Sequence, residues 1–516
     1  MHDTTLNNKT IAKNTLMLYL RMFIIMAASL YTSRIVLKTL GVIDYGIYDV
    51  VGGVVAMMAL LTNSLTNSIM RYLTFELGKK DEKAQSLVFS TSVNVMVLMS
   101  IITIIIGESL GLLFLNFQMN IPNERLSAAN WVYQCTLLSF IFNIISVPYN
   151  ASIVAHEKMK AFAYVSVIEV LLKLAVVYTL YITLFDKLIL YAILLLCVSI
   201  FMRVIYGHYC IRNFEECKYN FRFDKSLFKQ MTEFAGWNFL GQGAFLINNQ
   251  GINILLNLFF GVAINAARGI ATQVNGAIVK FVTNFMMALN PQITKCYACG
   301  NLKDMHTLIF RGAKTCFFLT LLFAIPIILE TENILKFWLG QIPEYSVIFV
   351  RLTVFASLIN VVNMTLTTGL HATGKIKKVM IITSIVEFSI FPFSYIAFRQ
   401  GLSPVSSYYI YIIVYFILMF LRVFLIKNYI LLSSKAYFKE VFLKLLLVTI
   451  FSMPIPLYLH LSLTPSVFRL IWVSIASSAM IITSIFVFGL TPVERNGLLN
   501  FARSKIQIRR DTIQSH

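Results

Sequence analysis

The sequence predicts an all-α integral membrane protein of about fourteen transmembrane helices: two pseudo-symmetric six-helix lobes followed by two C-terminal helices. Three observations carry this reading. Of 516 residues, 58% are hydrophobic and only 13% charged, and the mean hydropathy is +0.76. A soluble domain has about 25% charged residues and could not hide so much apolar surface. Apolar runs of spanning length, about 20 residues, recur along the whole chain. The basic residues are concentrated in alternate gaps between those runs.

In chain order, the runs lie near 14–37, 46–68, 87–115, 129–154, 161–184, 188–211, 234–260, 268–292, 313–330, 347–370, 379–398, 405–426, 442–461 and 469–490. Helices are required because an unpaired backbone amide inside lipid costs several kcal/mol. The first run carries Arg21 in its middle and lacks a small-residue cleavage site, so it reads as a span and not as a leader. The seventh and eighth runs are rich in Asn, Gln and Gly and are the most polar of the set.

With the N-terminus inside, the inner segments hold 29 Lys and Arg and the outer loops 8. The positive-inside rule then puts both termini in the cytoplasm. The net charge of +20 is therefore a topology signal, and nucleic acid is not an expected partner.

The chain repeats itself. Leu40-Gly41-Val42-Ile43 is answered by Phe260-Gly261-Val262-Ala263, and Gly78-Lys79-Lys80-Asp81 by the stretch Gly300–Asp304. Ser166-Val167-Ile168-Glu169 is answered by Ser384-Ile385-Val386-Glu387. Offsets of 220, 222 and 218 across six spans imply two parallel halves, 1–212 and 213–428, with the last two spans and a tail in 429–516. In transporters built this way the substrate sits between the halves.

Ionisable and amide side chains inside spans mark candidate function, because burying them in lipid is costly. Arg21 shares a helical face with Asn14 and Ala28; Asp49, Asn63 and Asn67 share one in the second span. Asn238, Gln242, Asn249 and Asn253 line the seventh span, and Gln273, Lys280 and Asn284 the eighth, with Arg268 at its outer end. Such faces turn to protein or water, either packing the bundle or lining a net basic cavity. Arg34 and Arg268 lie nearer the outer ends, where snorkelling competes with function. Glu169 and Lys173 are spaced for an ion pair. Glu387 has Phe391 in the corresponding place, which makes it a candidate site for H⁺ or Na⁺ coupling, alongside Asp49 and Glu169, unless Arg351 or Arg422 neutralises it.

Other chemistries find little support. Gly369–Lys375 fits G-x-x-x-x-G-K, but Ile376 stands where a Mg²⁺-binding hydroxyl belongs and no strand precedes it. Cys296 and Cys299 form a lone C-x-x-C, two ligands short of a zinc site. The longest outer loop, near Thr331–Ser346, is small, and the seven histidines are scattered. No catalytic site is expected, and no cofactor.

The opening Asn14-Thr15-Leu16, the turn Leu40-Gly41-Val42-Ile43-Asp44-Tyr45-Gly46 and the stretch Thr62–Arg71 resemble Wzx-like oligosaccharide flippases. So do Gly78-Lys79-Lys80-Asp81, Ala155-His156-Glu157-Lys158 and the Gly374-Lys375 loop. These flippases form the polysaccharide transporter branch of the multidrug/oligosaccharidyl-lipid/polysaccharide exporter superfamily. The resemblance implies a MATE-like fold of two lobes and alternating access between two faces. It implies a substrate too, an oligosaccharide repeat unit on undecaprenyl pyrophosphate, flipped for O-antigen, capsule or exopolysaccharide synthesis. Membrane lipids, a polysaccharide polymerase and a chain-length regulator are the partners it implies. Lipid II flippases use basic residues in the first, second and eighth spans, and Arg21, Arg34 and Arg268 are the nearest counterparts here. The competing readings are a cation-coupled multidrug exporter and a peptidoglycan lipid II flippase.

Overall fold

The computed structural model describes residues 13–496, apart from 29–30, 33–34, 37–38, 41–43, 45–46, 49–50, 52–58, 118–122, 184, 221–223, 261, 340–341 and 493. Helix α1 covers 13–28. It is followed by α2 (Ala59–Lys79), α3 (Glu82–Ile106), α4 (Leu112–Phe117), α5 (Leu126–Ala155), α6 (Met159–Ile182), α7 (Lys187–Asn213) and α8 (Lys225–Phe260). Then come α9 (Val262–Ala298), α10 (Leu302–Leu339), α11 (Ser346–Val361), α12 (Met364–Thr373), α13 (Lys377–Phe388), α14 (Ile390–Arg399) and α15 (Ser406–Ile426). The chain closes with α16 (Ser434–Tyr437), α17 (Leu443–Ser452), α18 (Pro454–Ser462) and α19 (Val467–Ser484).

Among the described residues, ten helices are long and apolar enough to cross a membrane, several of them made of two or three consecutive segments. The first two expected spans fall partly on residues outside the description. The seventh and eighth are continuous helices of 36 and 37 residues. The protein is a multi-pass membrane protein, all-helical among the described residues.

Two compact units form. The first comprises Met1–Ala244, Met287–Met305 and Thr368–Ser384. Its core centres on α5, where Ala129, Val132, Tyr133 and Leu137 pack with Leu188 and Ala192 of α7. Arg125, just before α5, joins Asp44 and Asp186: its Nη1 lies 2.5 Å from one Asp186 oxygen, and its Nε lies 2.9 Å from Asp44 Oδ1. Asp186 also caps α7 by accepting from the N–H groups of Leu188 and Ile189. Burial opposes the Asp186 charge, but Arg125 and those two N–H groups outweigh it and hold the carboxyl below its ordinary range.

The second unit comprises Phe245–Met286, His306–Thr367 and Ile385–His516. Within it α15 packs on α11 and α14, and α19 packs on α17 and α18. Here α10 corrects an expectation. The stretch taken for the longest outer loop is mostly the end of a 38-residue helix, bent at Glu330 (φ −104°, ψ 21°) just beyond Pro326. The Glu330 carboxylate is fully buried and is met by His460 Nδ1 at 2.7 Å, Arg469 Nε at 2.9 Å and Asn333 Nδ2 at 2.5 Å. These contacts fasten α18 and α19 to α10.

Candidate functional site

In the first unit, α1 carries Arg21 half-buried, its guanidinium 4.5 Å from the Phe162 ring centroid. Its Nε is buried and has no hydrogen-bond acceptor among the described residues. Glu169 and Tyr206 lie within its electrostatic reach. The Glu169 carboxylate is bound to Lys173 at 2.6 Å, one turn away on α6, which leaves Arg21 without a salt bridge among the described residues. Asn63 and Asn67 are exposed on α2. Asn238 on α8 is buried, with Nδ2 unpartnered. Arg34, Asp49 and the Gln242 side chain lie outside the described residues.

In the second unit, α9 carries Arg268 half-buried. Its Nη2 donates to the Asn249 backbone oxygen at 3.2 Å and to Oδ1 at 3.4 Å, and its guanidinium lies 6.0 Å from the Tyr408 ring. Thr272, Gln273, Lys280 and Thr283 are exposed along the same helix, and Asn253 of α8 is half-buried. Asn284 turns back onto its own helix, Nδ2 donating to the Lys280 carbonyl at 2.8 Å. Neither Arg268 nor Lys280 forms a salt bridge among the described residues. Three cations without a carboxylate partner are costly in a membrane protein, and an anionic ligand offsets that cost.

Glu387 is buried on α13 and accepts a hydrogen bond from Tyr415 at 2.5 Å. Asn248 Nδ2 donates to the Glu387 backbone oxygen at 2.6 Å, and Asn248 Oδ1 is buried without a partner. Arg422 is the cation within reach of this carboxyl. Arg351, the other suggested neutraliser, is engaged elsewhere: its Nε donates to the Ile328 carbonyl at 3.0 Å. Sequence reasoning missed Tyr415 and Tyr408. The signal was present, since Tyr408, Tyr411 and Tyr415 stand at helical spacing on an apolar span and share one face of α15.

The Walker-like stretch is helical from Met364 to Thr373 and ends at Gly374 with φ 74°, a helix terminus and not a phosphate-binding loop. The seven cysteines are free thiols.

Solved structures with the same fold identify the class. An outward-facing multidrug resistance MATE family transporter of the MOP superfamily superposes with a TM-score of 0.70 at 15% identity, covering 82% of this chain and 96% of that one. A MATE transporter in its bent conformation gives 0.70 at 14% identity, with 84% and 96% covered. A MOP superfamily transporter from Pyrococcus furiosus, described as having a binding pocket of reversed polarity, gives 0.68 at 14% identity, with 84% and 96% covered. No curated protein matches the sequence. The chain therefore shares the fold of these transporters.

The chain belongs to the polysaccharide biosynthesis protein family, whose profile matches residues 11–297, more than half its length. The MatE profile matches 248–396.

Proposed function

We propose that the protein is a flippase for lipid-linked oligosaccharides, moving undecaprenyl-pyrophosphate-linked repeat units across a bacterial cytoplasmic membrane by alternating access. The observation that carries this reading is the set of cations that form no salt bridge among the described residues, Arg21, Arg268 and Lys280, on helices that carry exposed amides and hydroxyls. A pyrophosphate supplies the missing negative charge. At 4 Å and an effective dielectric constant near 20, each unit-charge contact is worth about 4 kcal/mol. Asn63, Asn67, Asn253 and Gln273 offer donors and acceptors for sugar hydroxyls, while the isoprenoid tail remains in lipid. Both termini face the cytoplasm in this scheme. Glu387 is the group we assign to ion coupling, since its hydrogen-bonding partner is a neutral hydroxyl and Arg422, though within electrostatic reach, forms no salt bridge with it among the described residues.

The MatE match and the multidrug neighbours favour a second reading, cation-coupled drug export. That chemistry requires carboxylates facing a cationic drug, and the polar faces here carry more Arg and Lys than Asp and Glu.

The test is complementation of a null strain. Arg21→Gln combined with Lys280→Gln is expected to lower surface polysaccharide at least about tenfold at normal protein level, as loss of two charge-assisted contacts requires. Normal surface polysaccharide in that variant contradicts the basic-site mechanism. Unchanged polysaccharide with raised drug sensitivity in the null strain supports the exporter.

A further inference from the structure

Two contacts at one end of the first compact unit mirror each other through the internal repeat. In the first, Glu157, in the turn between α5 and α6, accepts from Lys295 Nζ at 2.7 Å and from Gln292 Nε2 at 2.6 Å, both on α9. In the second, Arg71 on α2 donates through Nε to the His371 carbonyl at 3.2 Å and through Nη2 to the Ala372 carbonyl at 3.3 Å. Those carbonyls end α12, where a cation also meets the negative end of the helix dipole. The repeat offset of about 220 makes α2 the counterpart of α9, and the turn after α5 the counterpart of the turn after α12. Each arm therefore runs from one repeat to the complementary turn of the other.

Backbone conformation fits the arms to this task. Glu157 sits in the left-handed region at φ 58°, a strained choice for a residue with a long side chain. Asn14 of α1 steadies it by donating to its backbone oxygen at 3.3 Å. The Arg71 guanidinium lies where a side chain on Gly374 would be, since a Cβ there would stand 2.6 Å from Nη2. Between the arms, Gly78 at the end of α2 meets Ala298 at the end of α9, its counterpart at an offset of 220. A Cβ on Gly78 would come within 2.7 Å of the Ala298 Cβ and 3.1 Å of the Lys295 backbone. Cys299 Sγ donates to the Gly78 carbonyl at 2.8 Å.

We infer that Glu157–Lys295/Gln292 and Arg71–His371/Ala372 are the two arms of a repeat-related latch, one holding the inner end of α9 to the turn after α5 and the other holding α2 to the end of α12. The latch must release before the transport path opens on that side. The inference rests on the transporter reading, and it adds the residues that control access from one face.

The experiment replaces the seven cysteines by serine, places a single reporter by Asn63→Cys, and measures its labelling by a membrane-impermeant maleimide. Inverted and right-side-out vesicles are compared. Glu157→Gln with Arg71→Gln is expected to raise the inner-side rate about tenfold, and Glu157→Lys with Lys295→Glu to return it to within about twofold of the parent. An unchanged inner-side rate in the first double variant overturns the latch. So does a charge-swapped pair that labels as fast as Glu157→Lys alone. Should the first double variant fail to insert, Lys295→Met removes one arm's cation, and an unchanged rate in it is equally contradictory. Labelling needs no substrate, so a failed latch and a failed flippase assignment give separate results.

Discussion

Glu387 illustrates how a polar residue is tolerated inside an apolar helix. Its carboxyl has a tyrosine hydroxyl for a partner, and its backbone oxygen is taken by Asn248. Glu387→Gln retains an acceptor for Tyr415, whereas Glu387→Ala strands the buried hydroxyl at a cost of about 1–3 kcal/mol. Thermal melts in detergent should therefore rank Glu387→Ala well below Glu387→Gln in stability. Equal melting temperatures would remove Tyr415 from the account. At the opposite extreme of exposure, Asp186 titrates where Arg125 and the α7 N-terminus hold its charge. A carboxyl depressed in the folded state contributes stability that is present above its unfolded value, near 3.9, and is lost as pH falls through the folded value. Melts of the parent should thus decline below about pH 4, and Arg125→Ala should flatten that decline. An identical acid profile in both proteins would count against this pairing.

At the scale of elements, the bend in α10 explains how the terminal helices are held. Glu330 is buried against His460 and Arg469, which reach it from sequence positions 130 and 139 residues away. Removing one partner of a buried pair leaves an uncompensated charge and costs about 3–5 kcal/mol, while replacing both by apolar residues is often neutral. Arg469→Ala should therefore lower the melting temperature sharply, and Glu330→Leu with Arg469→Met should recover most of the loss. If the double variant melts no higher than Arg469→Ala, the ion pair is not what fastens α18 and α19. The same element marks where sequence reasoning stopped. Thr331, Glu332 and Asn333 read as a loop because they are polar, and nothing local shows that Glu330 is neutralised from afar. By contrast, α3, α5 and α7 were legible as spans, because uninterrupted apolar length specifies a membrane helix with no knowledge of its neighbours. Helices α8 and α9 were faint in the sequence because Asn, Gln, Gly, Arg268 and Lys280 interrupt their apolar runs.

For the whole molecule, the internal repeat and the charge bias foretold a transporter-like architecture, and the family match and the MATE-like fold agree with it. The candidate site was only partly legible. Arg21, Arg268 and Lys280 announced themselves because a cation in a span demands a partner. Tyr408 under Arg268 and the reciprocal arms of Glu157 and Arg71 depend on chain segments brought together from distant positions. The account as a whole requires that the substrate be recognised through its pyrophosphate charge. The most direct test is binding of the purified protein, in lipid nanodiscs, to an oligosaccharide on an isoprenoid pyrophosphate and to the same oligosaccharide on an uncharged isoprenol. The account predicts a preference for the pyrophosphate of at least about tenfold, lost in Arg21→Gln/Arg268→Gln. Equal affinity for the two lipids, or an undiminished preference in that variant, would contradict it.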